Sequence, residues 1–186
     1  MLFVDIAGYT RLSERLSSAR VTHLVERYFG AFLDEILARG GDVNETAGDG
    51  LMVIFQDEDP AGHARAAVLT GQAILAHTGV INAELAETRE AIHLHLGVNS
   101  GSVALGAVRI EGLAGARWTY TASGPVTNVA ARLAALSDDS VLLGAETAGR
   151  LAGTVRLQDL GPVALRNVGE PVRVFRLAGE LDRLCS

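Results

Sequence analysis

No lysine occurs anywhere in the 186 residues, and all sixteen basic side chains are arginine. Every task that needs a cation on this chain therefore falls to a guanidinium, a planar fork of donors rather than a point charge. Cysteine is nearly as scarce: Cys185 stands alone, one residue from the end. That excludes an internal disulfide and a metal cluster held by thiolates. Positive charge is in deficit, with a net charge of −6 and a pI near 5.3. This argues against a protein whose affinity rests on neutralising many phosphates of a nucleic acid polymer, though a few placed arginines can still hold one nucleotide. No apolar run approaches the ~20 residues of a membrane span. The start, Met1 to Val4, lacks the charged and apolar regions of a signal peptide. The expectation is a soluble, cytoplasmic chain without repeats, linkers or low-complexity segments. With 48% hydrophobic residues, it is long enough for one sizeable core and too short for two typical domains, so residues 1–186 are expected to form one domain.

What is present reads as alternating strands and helices. MLFVD is a short apolar strand ending on an acid, followed by a glycine turn and polar, helix-forming residues. From Val21 to Arg39, Val21, Leu24, Val25, Tyr28, Phe29, Phe32, Leu33, Ile36 and Leu37 recur at helical spacing, and Gly40 with Gly41 stops the run. Asp42 to Thr46 and Leu51 to Phe55 read as antiparallel strands around an Asp-Gly turn. Pro60 opens an alanine-rich helix to about His77. Strands are expected from Ile92 to Asn99 and from Ser102 to Val108, with a brief extended segment at Trp118 to Thr121. Gly124 and Pro125 then open a helix through Leu136, and the tail from Ser140 to Leu177 alternates short apolar runs with turns. The order predicts an α+β fold: a ferredoxin-like βαββαβ core with C-terminal additions, and an antiparallel-rich sheet with helices on one face.

Three groups of residues can carry chemistry. Asp5 ends a strand and Asp49 sits at a hairpin turn that this fold can place beside it. Converging carboxylates suit Mg²⁺, which binds through one or two acids plus substrate phosphates. Each acid alone also reads as a turn or capping residue. Ile6, Ala7, Gly8, Tyr9 and Thr10 form a small-residue loop entering a helix, where free backbone N–H groups favour phosphate, although one glycine before a helix is ordinary. Asn128 and Arg132, four apart, project from one helix face. There they can serve a phosphate and a ribose oxygen, or form a solvated polar stripe. His93 and His95 alternate on a strand, with no third ligand at a compelling spacing for metal.

FVDIAGYT, ETAGDGLMVIF, GVNSGSVALG and TYTASGPVTNVAARL, in this order, resemble the class III adenylyl and guanylyl cyclase catalytic domain over nearly the whole chain. The resemblance implies that Asp5 and Asp49, with the carbonyl of Ile6, bind two Mg²⁺ or Mn²⁺ ions. It implies too that the loop of Ala7, Gly8, Tyr9 and Thr10 holds the β- and γ-phosphates of GTP or ATP. Two chains would pair head to tail in a homodimer. Each composite site would take its metal carboxylates from one chain and Asn128 and Arg132 from the other. The ribose 3′-oxygen would attack the α-phosphorus and pyrophosphate would leave. ALRNVGEPVRVFRL resembles the closing motif of that family, with Arg166 where a phosphate-binding lysine is usual. Pro125 and Thr127 depart from the acid and valine more often found before the asparagine.

The same family chooses its purine with two positions, which here hold Glu45 and Thr121. A glutamate accepts from guanine N1–H and the exocyclic amine, whereas adenine presents a bare N1 acceptor that repels it. Thr121 can donate to guanine O6 or accept from adenine N6. A good bidentate contact is worth about 1–3 kcal/mol, roughly 5-fold to 150-fold. GTP is the expected substrate, with ATP the alternative within the same chemistry. A rival of another class is a catalytically silent cyclase-like domain that binds a nucleotide or partner and regulates a longer protein. The short first strand suits a chain cut from such a protein, with a sensory or regulatory region elsewhere.

Overall fold

The computed structural model describes residues 1–47, 49–56, 58–85, 91–112 and 115–178, with the side chains of 45–47 and 108–121 outside the described ones. The order of elements is β1 (Leu2–Ala7), α1 (Tyr9–Arg15), α2 (Ser18–Ala38), β2 (Gly41–Ala47), β3 (Gly50–Phe55), α3 (Pro60–Glu84) and β4 (His93–Val98). Then follow β5 (Ala104–Gly112), β6 (Gly115–Ser123), α4 (Pro125–Leu136), β7 (Val141–Gly144), α5 (Ala145–Arg150), β8 (Leu157–Val163) and β9 (Val172–Leu177). Seven strands form one sheet in the order β2-β3-β1-β4-β7-β9-β8, and β5 with β6 forms a separate two-stranded sheet. The first four strands are the expected ferredoxin-like core. Within the large sheet only β4 and β7 pair in parallel, so it is antiparallel-rich as expected.

Strand periodicity divides β1 into two faces. Leu2, Val4 and Ile6 are buried against α2 and α3 together with Tyr28, Phe32, Ile36, Val68 and Ile74. Each fully buried side chain of this size contributes about 1.5–3 kcal/mol. Phe3 and Asp5 alternate with them and face the other way. The α3 helix starts as a proline helix should: Pro60 takes the first position, and the Asp59 carboxylate accepts from Ala61 N at 2.9 Å and Gly62 N at 3.0 Å. It runs two turns past the expected end at His77, because Asn82 fastens its last turn. Asn82 Nδ2 donates to the Ile92 carbonyl at 2.8 Å, and Asn82 Oδ1 accepts from Ile92 N and from the buried Tyr28 hydroxyl. With a mean hydropathy of 1.2 over eighteen residues, α3 meets the length and composition of a membrane span, which the sequence reading did not anticipate. Its residues Ala64, Ala67, Val68 and Ile74 nonetheless lie in the central core cluster.

Helices on one face is correct for α2 and α3 and wrong for α4, which lies on the opposite face. Gly97 accounts for this. Its neighbours Leu96 and Val98 point into the α2–α3 core, while a Cβ built on Gly97 would meet Ala130 O and Ala134 N at 2.3 Å. The α4 backbone therefore rests directly on β4. Both ends of the helix are pinned to the same strand. Asn99 Nδ2 donates to Val126 O at 3.2 Å, and Ser137 Oγ accepts from Leu96 N at 2.6 Å. Gly97→Ala should destabilise the domain by about 3 kcal/mol, a fall in melting temperature of roughly 6–12 °C. A calorimetric scan showing no change would mean that α4 does not approach β4 so closely.

Candidate active site

The antiparallel register of β1 and β3 sets Asp5 opposite Gly50, and Asp49 directly precedes Gly50 at the turn. Ile6 N donates to the Asp49 carbonyl at 3.2 Å, which ties the turn to the end of β1. This brings the Asp49 carboxyl close enough for its charge to act on Asp5. Burial first, and the charge of Asp49 second, raise the Asp5 pKa above the usual carboxylate range. A nearby imidazole works against this rise. His95 stands opposite Asp5 on β4, and its Nδ1–H donates to the Ser137 carbonyl. From the sequence alone His95 is a candidate metal ligand, and nothing local places it beside Asp5. The signal was the strand register, which puts His95 beside Asp5 once β1 and β4 pair.

Asp5 opens into a cleft of about 460 Å³ between the sheet and α4, lined among others by Met52, Ala122, Thr127, Asn128 and Ala131. Asp5 and Asn128 are thus brought to one cavity. Arg132, one helical turn beyond Asn128, is half-buried and does not line it. Arg166 is exposed in the β8–β9 connection. Leu165 and Leu133 share a buried cluster with Leu142 and Val174, so the two arginines flank a single packing unit. Among the described residues neither guanidinium has a carboxylate partner. Thr127 belongs to the cleft although the sequence reading treated it only as a departure. Its Oγ1 is buried with no hydrogen-bond partner among the described residues.

The expected loop from Ile6 to Thr10 shrinks to Gly8, since Ile6 and Ala7 end β1 and Tyr9 and Thr10 open α1. Gly8 caps α1 at φ 70°, a left-handed conformation that a side chain would strain. Ala7 and Gly8 border a shallow depression of about 140 Å³ shared with Arg11, Arg15 and His93, separate from the cleft. Tyr9 packs on the core and Thr10 is exposed. The backbone positions of Glu45 on β2 and Thr121 on β6 are described, whereas their side chains fall outside the described residues.

The two acids fit a hard cation. The charge of Asp49 helps raise the Asp5 pKa, and a divalent ion bound by both acids would offset that repulsion. Among the described residues no group of three or more His, Cys, Asp or Glu surrounds such an ion. Two carboxylates that leave coordination positions for substrate phosphates are what a nucleotide-bound Mg²⁺ needs.

The fold and the paired acids define an α+β domain with a candidate cation site, and comparison with known proteins names the family. Residues 1–179 match the adenylate and guanylate cyclase catalytic domain, and the chain belongs to that family. It is 30% identical over 179 residues to an uncharacterized protein of Mycobacterium tuberculosis, covering 94% of this chain and 32% of that protein. The chain therefore spans about a third of the length of that curated relative. The crystal structure of the adenylyl cyclase CyaB from P. aeruginosa superposes with a TM-score of 0.88 at 26% identity, covering 99% of this chain and 95% of that one. A guanylate cyclase domain from Catenaria anguillulae in complex with GTP superposes with a TM-score of 0.82 at 20% identity, covering 95% of this chain and 93% of that one. The latter likeness is one of fold.

The sign of the Asp5 shift gives a test that needs no substrate. An acid whose folded pKa lies above its unfolded value makes the fold most stable below the carboxylate range. Stability is then lost as the pH rises through the unfolded and folded values. Asp5→Asn should therefore raise the melting temperature of chelator-treated protein at pH 7 and flatten its dependence on pH between about 4 and 7. An unchanged or lower melting temperature would show that the acids do not repel.

Proposed function

We propose that residues 1–186 form one cyclase catalytic domain that closes a purine nucleoside triphosphate, preferentially GTP, into its 3′,5′-cyclic monophosphate and pyrophosphate. The observation that carries this reading is the meeting of Asp5 and Asp49 where β1 ends against the turn before β3. Asp5, Asp49 and the carbonyl of Ile6 are the residues that would hold two Mg²⁺ or Mn²⁺ ions. Bound there, such ions would polarise the ribose 3′-oxygen and offset charge on the phosphates.

The chain's own residues orient and bind. N–H groups of Ala7, Gly8, Tyr9 and Thr10 donate to the β- and γ-phosphates, and Arg166 grips the terminal phosphates with a guanidinium. Asn128 holds the ribose so that its 3′-oxygen lies in line with the α-phosphorus, and Arg132 donates to the oxygens on which charge builds as the bond to pyrophosphate breaks. Glu45 accepts from guanine N1–H and the exocyclic amine, with Thr121 donating to O6.

Two copies pair head to tail, so that Asn128 and Arg132 of one chain serve the Asp5 and Asp49 of the other. The enzyme acts in the cytoplasm in cyclic nucleotide signalling, governed by regions of a longer protein. The similarity to the P. aeruginosa adenylyl cyclase favours ATP as the second reading, with the same mechanism and a different base.

The deciding assay measures cyclic GMP from GTP and cyclic AMP from ATP, separately, with Mn²⁺ and with Mg²⁺, at concentrations that form dimers. Cyclic GMP in excess is expected; cyclic AMP alone would overturn the base assignment, and no product from a folded dimer would overturn the cyclase reading. Asp5→Ala and Arg132→Ala should each be inactive alone and regain activity when mixed, because a mixed dimer retains one intact site. No recovery in demonstrated heterodimers would sink the composite site. Glu45→Lys with Thr121→Asp should shift preference toward ATP by about 5-fold or more, and unchanged selectivity would remove both residues from base reading.

A further inference from the structure

The β5–β6 hairpin is a sheet of its own, and among the described residues no backbone ladder joins it to the seven-stranded sheet. It nevertheless carries Thr121, which must face Glu45 of β2 if the two read one base. A side chain bonds the two strands to each other. Val43 pairs with Val53 and Glu45 with Met52, so Asn44 is the extra residue of a β-bulge, without a position of its own opposite β3. A bulge re-aims the side chain it carries. Asn44 Oδ1 accepts the hydrogen bond of Ala122 N at 3.0 Å, across 78 residues of chain. Ala122 is 4% exposed and packs with Met52, Ile54 and Ala130, so its N–H has no ready access to water.

We infer that Asn44 is a positioning residue for purine selection: its amide oxygen clamps β6 to the β2 bulge and sets the spacing between Glu45 and Thr121. The two base-reading positions are the chain neighbours of the two ends of this bond, Glu45 after Asn44 and Thr121 before Ala122. A hydrogen bond to a base tolerates only a few tenths of an ångström of error. A bulge whose side chain reaches across to the second strand is therefore a direct way to hold the pair. Asn44 itself needs no contact with the nucleotide. The inference rests on the cyclase reading of the cleft and adds to it the device that makes the base choice.

The test is the ratio of kcat/KM for GTP to that for ATP in wild type, Asn44→Ala and Asn44→Asp. A merely structural role lowers the folded fraction and depresses both substrates equally, leaving the ratio unmoved. The clamp predicts instead that Asn44→Ala moves the ratio toward one by about 3-fold to 10-fold, the worth of one hydrogen bond. Most of the change should lie in KM for the preferred purine. Asn44→Asp, which keeps an acceptor oxygen at the same reach, retains the wild-type ratio. If Asn44→Ala does not fold, Asn44→Ser, whose hydroxyl is too short to reach Ala122 N, takes its place. A wild-type ratio already near one, or a ratio unchanged in the truncated variant, overturns the clamp and leaves the cyclase reading standing. Wild-type protein that makes no cyclic nucleotide overturns both.

Discussion

The direct contact of the α4 backbone with β4 at Gly97 is the constraint on which the candidate site depends. With no side chain between them, the helix and sheet cannot separate or slide without losing packing along Ala130, Leu133 and Ala134. The bonds from Asn99 to Val126 and from Leu96 N to Ser137 Oγ remove the remaining freedom at the two ends. The position of Asn128 over the cleft follows from that docking. Because α4 packs through small residues, the cleft beside it keeps its volume while the helix stays close to the strands. Leu165 packs into the same helix near Leu133, so the loop bearing Arg166 inherits its position from α4 as well.

Against this rigid frame, the acids are the strained element. Asp5 and Asp49 meet because antiparallel pairing sets the end of β1 against the turn before β3, and the backbone N–H of Ile6 offsets only part of the rise in the Asp5 pKa. The imidazole of His95, held by the Ser137 carbonyl, is the neighbouring side chain that pulls the Asp5 pKa down. Ser137 therefore has two tasks: it fastens α4 to β4 and fixes the ring beside the acid. The absence of lysine bears on the rest of the site, since both cations flanking the Leu133–Leu165 cluster are guanidiniums without carboxylate partners among the described residues. Donors in a fixed fork suit phosphate better than they suit water.

The core fold was legible where local chemistry and periodicity agreed. The hairpin around Asp49 and Gly50, the proline start of α3 and the proline start of α4 all emerged where turn and cap residues placed them. Legibility failed where a long-range partner decided the outcome. The last two turns of α3 exist because Asn82 is held by Ile92 and Tyr28, neither of which a window along the helix contains. The β5 and β6 strands are longer than the apolar segments 102–108 and 118–121 suggested, because the two pair with each other from Ala104 and Ser123 to Gly112 and Gly115. The tail resolves into β7, α5, β8 and β9, whose places in the sheet are set by pairing with β4 and with one another. The same division holds at the site. Asp5, Asp49 and Asn128 could be read from motif and turn chemistry, while His95, Thr127 and Asn44 became visible only when registers and cavities assigned their neighbours.

The physical cost of the acid pair also weighs between an active enzyme and a silent domain. A carboxylate raised by burial and by a second carboxylate destabilises the metal-free fold at neutral pH, and an asparagine at either position would keep the shape and remove the cost. Thr127 repeats the pattern on the opposite wall, with a hydroxyl buried beside the cleft and no partner among the described residues. Both are explained together if the cleft receives a ligand that brings positive charge to the acids and hydrogen-bond acceptors to the helix. A nucleoside triphosphate with its divalent cations brings both.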